Sequence, residues 1–180
     1  MMSKTHIAIG MATSLAVTRP STIQGCILSV IGGAIGGVIA DVDILDDDYK
    51  HDALFGELIS FGFSAILLLT DFIFGIGIIS HIQNRSKVLL IGGAAFFAIL
   101  YICGFVSDHR KFTHSLVAMA LFSLSVFLMC DWLAVPFLFG YLSHLLLDIL
   151  NKKKYNFFFQ KMAVFVWDYF MHQKQVTPFL

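Results

Sequence analysis

The chain has 180 residues, a formal net charge of +0 at pH 7, 58 % hydrophobic and only 13 % charged residues, and a mean hydropathy of +0.82. Soluble domains usually carry about a quarter charged residues, so an ordinary soluble fold is excluded, and the absence of a basic excess argues against nucleic acid as a partner. Several apolar runs approach the ~20 residues needed to span a bilayer, which predicts an integral membrane protein of helices.

In chain order, His6–Thr18 is apolar but short, about 20 Å as a helix, and Arg19-Pro20-Ser21 breaks it. No small-residue cleavage pattern follows the N-terminus, so no cleaved signal peptide is predicted. Thr22–Ala40 is long enough to span and carries Gly32/Gly36 and Gly33/Gly37, two small-xxx-small pairs that admit a close helix neighbour. They lack the Lys and Ser/Thr of a phosphate loop. Asp41-Val42-Asp43 ends this span and opens an acidic loop through Asp46, Asp47 and Asp48. The spacing does not supply the glycine and terminal glutamate of a calcium loop.

Ala53–Ser80 is a long apolar segment with Glu57 near its start and Asp71 inside, expected to cross with tilt or to break near Gly75 and Gly77. Val88–Val106 crosses back to the cluster Asp108-His109-Arg110-Lys111-Phe112-Thr113-His114-Ser115. Leu116–Cys130 crosses again, and Ala134–Leu150 returns with His144 and Asp148 near its end. Lys152, Lys153 and Lys154 stop that span. Tyr155–His172 is aromatic and amphipathic, which suits a helix lying in the interface. The three cysteines, Cys26, Cys103 and Cys130, lie in apolar runs at spacings that match no zinc ribbon or redox pair. They read as small buried hydrophobes.

The expected fold is therefore all-α: a polytopic membrane helical bundle with four to five spanning helices, a short N-terminal helix and a C-terminal interfacial amphipathic helix. Residues 1–154 form the membrane domain and 155–180 the interfacial tail. If Arg19-Pro20 lies at one membrane face, alternating spans bring His6, Asp41, Asp43, His109, His114, His144 and Asp148 to the other. His144 and Asp148 are i, i+4 and share a helix face. Ionisable residues in or beside spans are costly unless they have a use, and neutral imidazole is a good ligand for divalent ions. A shared metal site is the expectation. His81 falls on the opposite face, outside this set. Lys4, Lys50, Arg110, Lys111 and the Lys152–Lys154 run share the site face, against Arg19, Arg85 and Lys87 opposite. The positive-inside rule then places the site in the cytoplasm.

Thr5-His6 with Gly10, the Asp41-x-Asp43 pair, His109-Arg110-x-x-Thr113-His114-Ser115, and Gly140-Tyr141-Leu142-Ser143-His144 with Leu147-Asp148 together resemble the YdjM-like membrane-bound metal-dependent hydrolases. The match runs in order over roughly residues 5–154. One departure is Ala40, where the family usually has proline before the acidic pair; both carboxylates are kept. The resemblance implies a multi-pass inner-membrane protein with hydrolase activity. Mixed His and Asp donors fit one or two divalent ions, zinc first, with manganese or iron as alternatives. The expected ligands are His6, Asp41, Asp43, His109, His114, His144 and Asp148. Asp43, His109 and Arg110 are the expected catalytic residues, with Arg110 suited to a phosphate oxyanion and an aspartate available as general base. Thr113 and Ser115 are expected to cap the following helix. Expected partners are membrane lipids and an amphiphilic or phosphorylated small molecule, with a phosphoester or lipid-linked substrate leading. Two rival readings remain. A metal-ion transporter would hold its ligands near the midplane with a second access route on the other face. A structural or regulatory membrane protein would close the coordination shell of a stabilising metal.

Overall fold

The computed structural model describes residues 3–43, 47–107 and 112–150, with residues 47–50 described by backbone alone. The expected tail at 155–180 and the residues His109, Arg110 and Lys111 lie outside the described residues. Among the described residues the chain is all helical. The elements are α1 (Ser3–Thr18), α2 (Ile23–Gly36), a 3-10 turn (Ile39–Asp43), α3 (Asp47–Phe74), α4 (Ile78–Gln83), α5 (Lys87–Val106), α6 (Leu116–Met129) and α7 (Asp131–Leu150). Four stretches are long and apolar enough to cross a membrane: Ile23–Asp43, His51–Phe74, Lys87–Val106 and Asp131–Leu150. This matches the lower end of the expected count.

α6, expected to cross, spans 14 residues, about 21 Å, and is the shorter apolar helix. Its ends are set locally. The Ser115 side chain caps the start by accepting from the Ala118 N–H at 3.0 Å, and Cys130 turns extended at its end.

Several boundaries have a local chemical cause. Arg19, at φ 43°, ends α1 just before Pro20, which disfavours the helical conformation in the residue it follows. Thr22 caps α2, its hydroxyl accepting from Gly25 N–H at 3.1 Å. α3 stops at Gly75 (φ 60°) and Gly77 (φ 109°), left-handed positions that glycine adopts without penalty. The buried Asp71 carboxylate then accepts from the Ile78 and Ile79 N–H groups, both at 2.8 Å, and so caps α4 from the preceding helix. At the other end, Asp52 of α3 accepts from the Ser3 N–H at 2.8 Å and caps α1.

α1, α2 and α7 meet through glycine. A Cβ on Gly33 would strike the backbone of Gly10, one on Gly36 the carbonyl of Phe137, and one on Gly140 the backbone of Gly33. These backbones touch, which is what a bundle lacking a hydrophobic drive between its helices needs. The α2 span is 61 % buried, whereas the α5 span is 17 % buried. Exposed Phe72, Ile73 and Phe74 on α3 and Val88, Ile91 and Ile102 on α5 give these helices lipid-facing surfaces. Phe122, Phe137 and Tyr141 fill the space between α6 and α7, and Phe97 of α5 meets Phe122 edge-on at 5.3 Å. Of the cysteines, Cys26 and Cys103 are exposed rather than buried as expected, and Cys130 is buried. The first two sit on apolar outer surfaces, where a bilayer rather than the core supplies the apolar environment.

Candidate metal centre

Six residues from four segments converge where α1 begins and α7 ends. His6 lies in the first turn of α1, Asp41 and Asp43 in the 3-10 turn after α2, His114 just before α6, and His144 and Asp148 near the end of α7. His144 and Asp43 are 0 % and 1 % exposed, and His6 2 %. The His114 Nε2 lies 3.0 Å from Asp148 Oδ2, and His144 Nε2 lies 3.5 Å from the same oxygen. His144 Nε2 is also 3.4 Å from Asp41 Oδ1 and 3.4 Å from His114 Nε2. His6 Nε2 is 3.8 Å from Asp148 Oδ1, and the His6 and His144 rings stack with centroids 4.1 Å apart.

The donors form two sets of three. His6, His144 and Asp148 offer atoms that all lie within 4.8 Å of one another, and so do Asp41, His114 and His144. His144 belongs to both. Asp148 turns one oxygen toward His6 and the other toward His114 and His144, the arrangement a bridging carboxylate would need.

Surrounding groups set the tautomers. His144 Nδ1 is 2.8 Å from the carbonyl oxygen of Gly37. A carbonyl only accepts, so this nitrogen carries the proton and Nε2 presents a lone pair inward. Thr113 Oγ1 donates to Asp43 Oδ2 at 2.7 Å and lies 3.2 Å from His114 Nδ1. A hydroxyl committed as donor to the carboxylate accepts from Nδ1–H, which turns His114 Nε2 inward as well. In the metal-free fold the His114 Nε2 carries a proton, 3.0 Å from Asp148 Oδ2 and 3.4 Å from the His144 Nε2 lone pair, and a bound cation would take the place of that proton. Burial pushes the His114 imidazole down, but the Asp148 and Asp43 carboxylates beside it push it up to about 9. His6 Nδ1 is buried with no hydrogen-bond partner among the described residues. Inward-facing imidazole nitrogens, carboxylates on both sides and an orphaned imidazole nitrogen all fit a divalent cation.

Of the residues expected from the sequence, His6, Asp41, His114, His144 and Asp148 fall in the two donor sets. Asp43 falls in neither; it holds Thr113 and lies 3.6 Å from His114 Nδ1. His109 and Arg110 lie outside the described residues. Thr113, expected to cap α6, instead stands 0 % exposed between Asp43 and His114, and Ser115 alone provides the cap. Tyr141 donates its hydroxyl to the Thr113 carbonyl, tying the loop to α7. The buried carboxylate of Glu57, which accepts from Tyr101 at 3.0 Å, and the Gly37 carbonyl were not singled out by sequence. A carbonyl carries no residue-type signal, and Glu57 resembles any acid near a helix start.

A second feature lies at the far end of the bundle. A cavity of about 520 Å³ is lined by residues of the α1–α2 turn, among them Arg19 and Thr22, and by Trp132 and Pro136 of α7.

A family profile described as YdjM inner membrane protein matches residues 1–159. No curated protein and no solved structure matches the chain. The profile covers most of the sequence, including all the elements that build the donor cluster, and the helices long enough to span make the protein a multi-pass one. The chain belongs to the YdjM inner membrane protein family.

Proposed function

We propose that this protein is an integral membrane metal-dependent hydrolase acting on a phosphoester or lipid-linked substrate at the membrane interface. The observation that carries this reading is the buried meeting of three imidazoles and two carboxylates from four separate segments, with the Nδ1 protons of His114 and His144 directed outward. His6, Asp41, His114, His144 and Asp148 would hold one or two divalent ions, with zinc favoured by the imidazole content and manganese or iron as alternatives. A bound divalent ion supplies Lewis acidity toward an ester oxygen and lowers the pKa of a water.

The chain's own residues do the rest. Gly37 fixes His144, and the Asp43–Thr113 pair orients His114. Asp43 and His109 are the candidate proton-transfer groups. Arg110 is the candidate for gripping two phosphoryl oxygens. The donors sit at helix ends rather than mid-span, which favours a site at the interface over a translocation site at the midplane. The positive-inside count supports a cytoplasmic site, facing membrane lipids and an amphiphilic or phosphorylated small molecule. Elemental analysis of purified protein, followed by a hydrolysis screen over phosphomonoesters, phosphodiesters and lipid phosphates, tests the reading. Metal-dependent release of product supports it. Stoichiometric metal with no hydrolysis across all three classes contradicts the enzymatic part.

A further inference from the structure

We propose a second, sulfur-containing site for a zinc-class divalent ion at the opposite membrane face, built from His81, Cys130 and Asp131. The donor atoms of these three residues all lie within 4.8 Å of one another. They come from two parts of the chain. His81 is in the last turn of α4, and Cys130 and Asp131 form the junction between α6 and α7.

The junction presents the donors for local reasons. Cys130 leaves the helical conformation, with φ −152° and ψ 102°, and is buried against the bundle. Asp131 starts α7, one Oδ1 accepting from the Trp132 N–H at 3.0 Å. The same oxygen is 2.8 Å from His81 Nε2. The His81 ring lies flat on Trp132, with centroids 3.6 Å apart and planes at 12°. The ring plane is thus fixed by an aromatic face, and its Nε2 is aimed at the carboxylate. Asp71, by capping α4, sets the height at which His81 arrives.

Arg85 decides how the carboxylate is presented. Its Nη1 donates to Asp131 Oδ2 at 3.0 Å, and its Nη2 donates to the Phe127 carbonyl at 2.8 Å. That holds Oδ2 in an outer contact and leaves Oδ1 toward the imidazole, the usual arrangement around a ligating carboxylate. Its positive charge opposes a cation, but a thiolate and a carboxylate together outweigh it. The imidazole and the carboxylate side chains are 25 % and 32 % exposed, so an ion has an approach from solution. One imidazole, one sulfur and one carboxylate make a donor set of zinc type, with a fourth position left for water. Thiolate and imidazole together select against magnesium and calcium. In the metal-free state the His81–Asp131 hydrogen bond and the Arg85 ion pair keep the donors assembled, and the ion takes the place of the protons on His81 Nε2 and on the Cys130 thiol.

The sulfur separates this site from the His/Asp centre in one measurement. Purified full-length protein, reduced and stripped of metal, is titrated with cobalt(II) while its absorption is recorded. A thiolate bound to cobalt(II) gives a strong near-ultraviolet charge-transfer band, which nitrogen and oxygen donors do not give. The expected result is a saturable band in the wild type that is retained in Cys103→Ser and His144→Ala and absent in Cys130→Ser. Loss of an outer partner of a ligand already costs 10–100-fold in affinity, so His81→Ala is expected to weaken the cobalt(II) affinity read by this band by about tenfold or more. Thermal unfolding of each variant identifies those that retain the fold, and Cys130→Ala is used where Cys130→Ser does not. No charge-transfer band in folded wild-type protein overturns the site, as does a band that persists without Cys130 or that is indifferent to His81→Ala.

Discussion

The Nδ1 of His144 lies 2.8 Å from the carbonyl oxygen of Gly37, so the residue that caps the end of α2 fixes the proton position of a histidine 107 residues later in the chain. The contact exists because α7 lies directly on the glycine face of α2. Gly36 has no room for a Cβ beside the Phe137 carbonyl. Gly36→Ala is therefore expected to push the helices apart, destabilise the fold by about 1–3 kcal/mol as overpacking does, and weaken metal binding. Gly92, which has open space around it, gives the matched control: Gly92→Ala should leave both unchanged. Thermal unfolding with and without added zinc checks both.

Thr113 acts through His114. Thr113→Val keeps the shape and removes the hydroxyl between Asp43 Oδ2 and His114 Nδ1, leaving the imidazole free to choose its tautomer. Metal affinity should fall by about 10–100-fold, while Thr113→Ser should restore most of it. Competition with a chromophoric chelator measures both. Equal affinity in wild type and Thr113→Val would show that the hydroxyl has only a packing role.

Proton competition gives a pH dependence with a definite sign. The His114 imidazole is held up at about 9 in the metal-free fold, above its ordinary value of about 6.5. Its contribution to metal-free stability is complete below pH ~6.5 and is lost as pH rises through about 9. A ligating imidazole must give up its Nε2 proton, so metal affinity should rise with pH across the same window. Titration calorimetry in buffers of different ionisation enthalpy should detect a proton released near neutral pH. Affinity that is flat from pH ~6.5 to ~9 contradicts a ligand role for His114.

Arg110 separates phosphate chemistry from membrane anchoring. Arg110→Lys keeps the charge and loses the planar fork. With normal metal content, turnover of a phosphoester should fall about tenfold, equivalent to ~1.4 kcal/mol. Unchanged turnover removes Arg110 from the reaction and leaves it a headgroup anchor.

The membrane orientation follows from lysine and arginine placement. Single cysteines introduced at Asp47 and Asn84, in a chain lacking Cys26, Cys103 and Cys130, should label differently from outside intact cells. Position 84 should react and position 47 should not. The reverse pattern places the metal centre on the outer face.

The spans and the meeting of distant residues were legible in the sequence because both follow from coarse periodicity. Apolar runs of fixed length must alternate across a bilayer, so His6, Asp41, His114, His144 and Asp148 could be placed at one level by counting crossings. The breaks at Arg19-Pro20 and at Gly75 and Gly77 carry their own backbone chemistry. What the sequence did not disclose was the layer behind the donors. Thr113 looks like a helix cap in sequence, because Ser and Thr before an apolar run usually are; only the approach of Asp43 gives its hydroxyl a different acceptor. The Gly37 carbonyl has no side-chain signature. Cys130 reads as a small hydrophobe, and its proximity to His81 depends on how α4 folds back after the Gly77 turn.

The His/Asp centre is tested most directly by counting metal in purified protein, with Cys130→Ser as the background so that only that centre contributes. In that background the protein should carry bound divalent metal. Adding His144→Ala or Asp148→Ala should remove most of it, and adding His51→Ala, at an exposed histidine, should remove none. Folded His144→Ala and Asp148→Ala proteins that keep their full metal content would contradict the centre as described.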